Sequence, residues 1–164
     1  MNADKRVSGI KVKAFAVPGK VALWLEDANK GPNFGSVDED TIALEICNEE
    51  TGASFFYIPA CAYVPDWLKE KLNNTNLLFF DGTLWTDDEM IKQKVGIKTG
   101  KRMGHISMSG EEGSINIFKN VKINRKIFIH INTTNPALLN NSTERKILED
   151  AGWEVAYDTM EIKI

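Results

Sequence analysis

At 164 residues the chain has the length of one domain with a real core, and 43% hydrophobic against 26% charged residues is ordinary for a globular protein. Its net charge of −3, from 20 basic and 23 acidic residues that do not cluster by sign, excludes the basic stripe of a nucleic-acid footprint. No apolar run approaches the roughly 20 residues of a membrane span, the opening MNADKRVSGIKV has no apolar signal core and so points to the cytoplasm, and Cys47 and Cys61 are too few and too far apart for a disulfide framework or a CxxC zinc site.

Residues 1–9 read as a flexible lead-in. IKVKAFAV, residues 10–17, alternates apolar and polar positions over its first half and predicts a half-buried strand, stopped by Pro18-Gly19. VALWL, residues 21–25, predicts a second strand, and the polar segment 26–40 a long exposed loop of the kind that often lies over a site. TIALEIC and SFFYI, across NEETGA, predict a hairpin with Gly52 in the turn. After Pro65-Asp66, WLKEKLNN has helical spacing and ends at Asn73-Asn74. Strand, short helix and strand in that order predict neighbouring parallel strands.

The next stretch, NLLFFDGTLWTDDEM, organises the chain. Leu77 to Phe80 is a continuous apolar run, the pattern of a strand buried on both faces. Asp81 then sits where the strand leaves the sheet, which is where open α/β sheets place their ligands. A carboxylate there suits a metal ligand or general base, although on spacing alone a strand-end aspartate more commonly just caps the following turn. TDDEMIKQ predicts a short helix with Thr86 as N-cap and Glu89 as its capping-box partner. The glycine-punctuated segment 95–110 carries His105, and EEGSINIFKN predicts a helical piece packing through Ile115, Ile117 and Phe118. KIFIHI predicts a buried strand ending in His130. Pro136 opens a short helix, and Ser142 caps another that stops at Gly152. WEVAYDTMEIKI predicts the closing strand of a single α/β domain.

Asp81, His105 and His130 each lie at a strand end or in a glycine-rich loop, so they can gather on one sheet edge. Imidazole and carboxylate are the usual donors for zinc and ferrous iron, although a lone histidine on an apolar strand is more often a hydrogen-bonded core residue. Cys61 reads as a small buried hydrophobe outside any ligand set. No Walker loop, GxGxxG, GxSxG or zinc-finger spacing occurs.

Four segments together, LLFFDGTLWTDDEM, GKRMGHISMSG, IFIHINTTNP and AGWEVAYDTMEI, with AFAVPGK and YIPACA fitting as well, resemble the C-terminal half of the coenzyme PQQ synthesis protein B family. The resemblance implies half of a metallo-β-lactamase-like αββα sandwich, a mixed sheet with flanking helices. It implies that Asp81 and His130 are metal ligands and that His105 acts as acid or base, with Thr83, Ser109 and Asn132 lining or supporting the site. It further implies a role in pyrroloquinoline quinone (PQQ) biosynthesis, as an iron-dependent oxygenase hydroxylating a tyrosine-derived precursor. An alternative family assignment, a carrier of PQQ, would use basic groups such as Lys98, Lys101 and Arg102 on the cofactor's carboxylates.

The departures carry as much weight. Thr133 stands where the family tends to have Asn, Ala60 where it tends to have Gly, and Met108 near a position that is often Ile. The HxHxDH motif of the N-terminal half is absent, because His105 and His130 are the chain's two histidines. An iron(II) or zinc site completed by a separate N-terminal-half chain is therefore expected, with an apolar sheet face left for that partner. Homodimerisation could bury such a face but could not supply HxHxDH, and a truncated remnant is the remaining reading.

Overall fold

The computed structural model describes residues 8–164. Six strands form one sheet whose spatial order is their chain order: β1 (Ile10–Ala16), β2 (Ile42–Asn48), β3 (Ser54–Ile58), β4 (Thr75–Asp81), β5 (Ile123–Ile129) and β6 (Trp153–Val155). The first three pair antiparallel and the rest parallel, so the sheet is mixed. The β2–β3 hairpin turns through Gly52 at φ 73°, as its sequence predicts. The antiparallel-to-parallel change comes at α1 (Asp66–Leu72), which crosses from β3 to its parallel neighbour β4.

Short helices fill the remaining connections: α2 (Glu89–Lys92), α3 (Gly100–Met103), α4 (Ser114–Ile117) and α5 (Thr143–Asp150). Ser142 caps α5 by accepting from Arg145 N, and Gly152 ends it at φ 75°. Leu68 and Leu72 of α1, Phe118 after α4 and Leu148 of α5 join Phe56, Leu78, Phe80 and Phe128 in one core cluster. Phe128 stacks on Trp153 with ring centroids 3.9 Å apart. Alternation along paired strands sends Val12, Leu44, Ile46, Phe55, Tyr57 and Phe79 to the opposite face. There Val12 is 56% and Tyr57 38% exposed. Leu77, Leu78 and Phe80 are buried as the apolar run predicts, while Phe79 is half-buried on this second face.

Three expectations change. VALWL is not a strand: Leu23–Leu25 forms a 3-10 turn, because Val21 N donates to the Ser36 hydroxyl at 2.8 Å rather than to a neighbouring strand. Leu23, Trp24 and Leu25 are consequently exposed. The capping box at Thr86 does not form, since α2 starts after Asp88 and the Glu89 carboxylate accepts from Trp85 N at 2.7 Å. The closing strand is only three residues long, because its partner β5 ends at Ile129, where His130 turns into the left-handed region at φ 54°. Of the flexible lead-in expected over residues 1–9, residues 1–7 lie outside the described part, and the Gly9 carbonyl accepts from Glu49 N at 2.8 Å.

Candidate metal centre

The parallel register of β4 and β5 sets Asp81 opposite Ile129, so His130 emerges one residue beyond Asp81 at the same edge. Gly82 N donates to the Ile129 carbonyl at 2.9 Å and keeps the two strand ends joined. A side chain at Gly82 would put its Cβ 2.6 Å from Met108 Cε and 2.9 Å from Phe128 Cβ, so the position has no room for one. His105 arrives from a different element. Thr99 caps α3 by accepting from Arg102 N, and Gly104 ends it at φ 86°. The next two amides are then anchored, His105 N to Gly100 O at 2.9 Å and Ile106 N to Cys61 O at 2.7 Å.

Asp81, His105 and His130 thereby bring one donor atom each within 4.8 Å of one another. Asp81 is fully buried and its carboxylate accepts four hydrogen bonds. Oδ1 takes Thr83 N at 3.1 Å and Thr83 Oγ1 at 2.6 Å; Oδ2 takes Cys61 N at 3.0 Å and lies 2.8 Å from His105 Nδ1. A carboxylate offers about four lone-pair sites, so an ionised Asp81 is saturated, with His105 protonated at Nδ1 as the donor. His130 Nδ1 lies 3.9 Å from Asp81 Oδ1, too far for a direct bond. It sits instead 2.8 Å from Thr83 Oγ1, whose own proton goes to Asp81. The two imidazole rings stack 5.2 Å apart.

Burial pushes the Asp81 carboxyl pKa up, but the hydrogen bond with His105, the nearby His130 imidazole and the Thr83 hydroxyl outweigh it and hold the group below its ordinary value. The same carboxylate raises the His130 pKa above the usual imidazole value, against an opposing effect of partial burial. Burial, with a smaller push from Asp81, drives the Cys61 thiol to about 12. Cys61 is thus an inert thiol, its Sγ 3.1 Å from the Tyr63 carbonyl, and it serves the site through its backbone N–H.

Thr83 is the hub of this network. Asn132 stands behind it: its backbone N donates to Thr83 O at 3.0 Å while its side chain donates to Thr134 Oγ1 at 2.8 Å. Ser109 does not reach the three donors; its hydroxyl is spent on the Trp85 carbonyl at 2.7 Å. Of the basic groups, Lys101 pairs with exposed Glu112 and Arg102 makes a two-pronged bond to Glu26 at 3.1 and 2.7 Å. Two buried residues outside the expected set support the site. Glu89 accepts from Trp85 N and from the Thr134 hydroxyl, joining the two loops that flank the site. Asn135 donates to the Gly82 carbonyl at 3.0 Å and accepts from Ala137 N at 3.0 Å. The signal for Asn135 was its place before Pro136, that of an N-cap.

Residues 2–131 match the family described as beta-lactamase superfamily domain. The chain is 53% identical over 160 residues to the coenzyme PQQ synthesis protein B of Bradyrhizobium diazoefficiens, covering 97% of this chain and 51% of that one. To the protein of the same name from Xanthomonas oryzae pv. oryzae it is 46% identical over 164 residues, which is 54% of that protein. A crystal structure of zinc-bound PqqB from Methylobacterium extorquens superposes with a TM-score of 0.89 at 43% identity, over 98% of this chain and 52% of that one. The chain thus spans about half the length of the curated relatives it matches. It belongs to the beta-lactamase superfamily, and within it its similarity is to coenzyme PQQ synthesis protein B.

Proposed function

We propose that this chain acts in PQQ biosynthesis as the part of a PqqB-type, iron-dependent oxygenase that anchors the metal, with the remaining ligands supplied by an N-terminal-half segment. The observation that carries this reading is the convergence of Asp81, His105 and His130 at the ends of two parallel strands and one anchored loop. Carboxylate and imidazole are the donor chemistry of catalytic zinc and of non-haem ferrous sites with open positions, so the residues fit the group. Asp81 and His130 hold the metal; His130's side chain is 54% exposed and accessible to it. Bound ferrous iron supplies the dioxygen chemistry that ring hydroxylation of a tyrosine-derived substrate needs.

His105 handles the proton. Its Nδ1–H bond to Asp81 leaves Nε2 as the nitrogen free to accept or give one, the arrangement that orients a general base. Because Asp81 is already saturated by four donors, a metal must displace one of these hydrogen bonds, and its binding weakens as pH falls because carboxylate and imidazole ligands must be deprotonated. The open sheet face supports the missing-half reading. Alternation places Asp81 on the same face as Leu77 and Phe79, so a second sheet covering that face would meet the donors directly.

The test is ferrous-iron affinity of the chain alone and of the chain mixed with an N-terminal half carrying HxHxDH. The reading expects tight, stoichiometric binding in the mixture only, lost in Asp81→Ala and His130→Ala and kept in His105→Gln. Tight binding by the chain alone overturns the incomplete site. Loss in His105→Gln makes that residue a ligand, and absence of metal in both samples removes the oxygenase reading and leaves carriage of PQQ.

A further inference from the structure

Asp81 and Glu89 are the two buried carboxylates among the described residues. Asp81 has a histidine against it, whereas Glu89 is held by two neutral donors. Burying a carboxylate costs stability unless donors satisfy it, and these two come from different loops. Trp85 N, at 2.7 Å, lies in the loop after β4, and the Thr134 hydroxyl lies in the loop after β5. We infer that Glu89 is a positioning residue, a clasp that holds the His130 loop against the Thr83 loop through Thr134 and Asn132. The inference rests on the function proposed above, in which His130 is a metal ligand.

The order of the hydrogen bonds carries it. A carboxylate only accepts, so Thr134 gives its hydroxyl proton to Glu89, and its oxygen is left to accept from Asn132 Nδ2 at 2.8 Å. The Asn132 side chain is thereby pinned, and the backbone N of the same residue donates to Thr83 O at 3.0 Å. Thr83 Oγ1 in turn lies 2.8 Å from His130 Nδ1. A continuous path thus runs from Glu89 through Thr134, Asn132 and Thr83 to the ring of His130.

The chain needs such a tie at this point. β5 ends at Ile129, and His130 leaves it at φ 54°, a conformation uncommon for any residue but glycine. Residues 130–134 lie outside any strand, so no sheet ladder holds them. Gly82 N on the Ile129 carbonyl ties this segment at its start. Glu89 on Thr134 ties it at its end, with Asn135 on the Gly82 carbonyl one residue further. His130 sits between these ties. His105 depends on none of them, because its loop is anchored on Gly100 O and Cys61 O. A carboxylate that only closed its own turn, through Trp85 N four residues back, would need no partner on the second loop.

The test reads amide hydrogen exchange in the metal-free chain, and zinc affinity of the chain completed by an N-terminal half carrying HxHxDH. Thr134→Val keeps the side chain's shape and removes the hydroxyl, while Glu89→Ala removes the clasp outright. Both should speed exchange at Asn132 N by about tenfold or more, the scale of one lost buried hydrogen bond. Gly82 N, whose bond belongs to the strand register, should stay within about twofold. Zinc affinity should fall about 10–100-fold, and Thr134→Ser should restore both readouts. Leu148→Ala opens a cavity in the core and lowers overall stability, but should not reproduce the difference between the two amides. Unchanged exchange at Asn132, an equal rise at Gly82, no recovery in Thr134→Ser, or the same pattern from Leu148→Ala would each overturn the clasp. So would unaltered zinc affinity in Thr134→Val where the wild type binds. Thr134→Val decides the matter if Glu89→Ala does not fold. If the completed wild type binds no zinc, the function proposed above fails, and the exchange pattern alone still decides whether Glu89 is the clasp.

Discussion

Replacing Asp81 with asparagine tests the network at its centre while hardly changing its shape. The wild-type carboxylate satisfies Cys61 N, Thr83 N, Thr83 Oγ1 and His105 Nδ1. An amide has one oxygen, which can serve only one of these two pairs, and it turns an NH2 toward the other. With the oxygen toward Thr83, His105 can move its proton to Nε2 and accept from the new NH2. The Cys61 N–H has no such escape, and a buried donor left without an acceptor costs about 1–3 kcal/mol. The surviving bonds lose their charge assistance, which brings the expected loss to about 3 kcal/mol. Relief from burying a charge does not reverse this, because the folded state holds Asp81 below its ordinary pKa and so favours the carboxylate. A group whose pKa is lowered by folding stabilises above its unfolded value, about 3.9 for Asp, and loses that contribution as pH falls through the folded value. Urea unfolding of the metal-free chain, followed by tryptophan fluorescence from pH 7 into acid, should show the deficit shrinking as the wild type loses its charge. A deficit under about 0.5 kcal/mol at pH 7, or one that does not change with pH, would refute the reasoning.

Thr83→Val removes the hydroxyl that joins Asp81 to His130 while keeping the backbone bond to Oδ1. Iron affinity of the completed protein should fall about 10–100-fold, the usual cost of losing an orienting partner, and Thr83→Ser should restore it in the same titration. Asn135→Ala and Ser109→Ala make a contrasting pair. The first strips partners from the Gly82 carbonyl and the Ala137 amide inside the core and should cost about 2–3 kcal/mol in urea unfolding. The second removes one bond to the Trp85 carbonyl, should cost about 1 kcal/mol, and should leave iron affinity unchanged.

Residues whose role is set by neighbours in sequence could be read directly. The run ending at Asp81, the hairpin turn at Gly52 and the cap at Ser142 all act through backbone geometry within a few positions. What failed depended on partners far along the chain. VALWL has a strand's composition, but its first amide is taken by Ser36, fifteen residues on. Glu89 fits a capping box, yet its carboxylate finds Thr134, forty-five residues away. The gathering of Asp81, His105 and His130 was foreseeable only as a possibility, since strand ends share an edge and composition cannot say at what distance.

That distance follows from two backbone ties. Asp81 and His130 are set by parallel register and by Gly82 N on the Ile129 carbonyl. His105 is set by Ile106 N on the Cys61 carbonyl, and Cys61's own amide returns to Asp81 Oδ2. Every one of these bonds lies within this chain, so the three donors are placed without help from the sheet that would cover the open face. A covering half then has only to bring its own ligands; it need not rearrange these. If so, the mutual spacing of Asp81, His105 and His130 should be the same whether the Phe55–Tyr57–Phe79 face is open or covered, and any gain in metal affinity on covering it measures added ligands and excluded water rather than the ordering of these three.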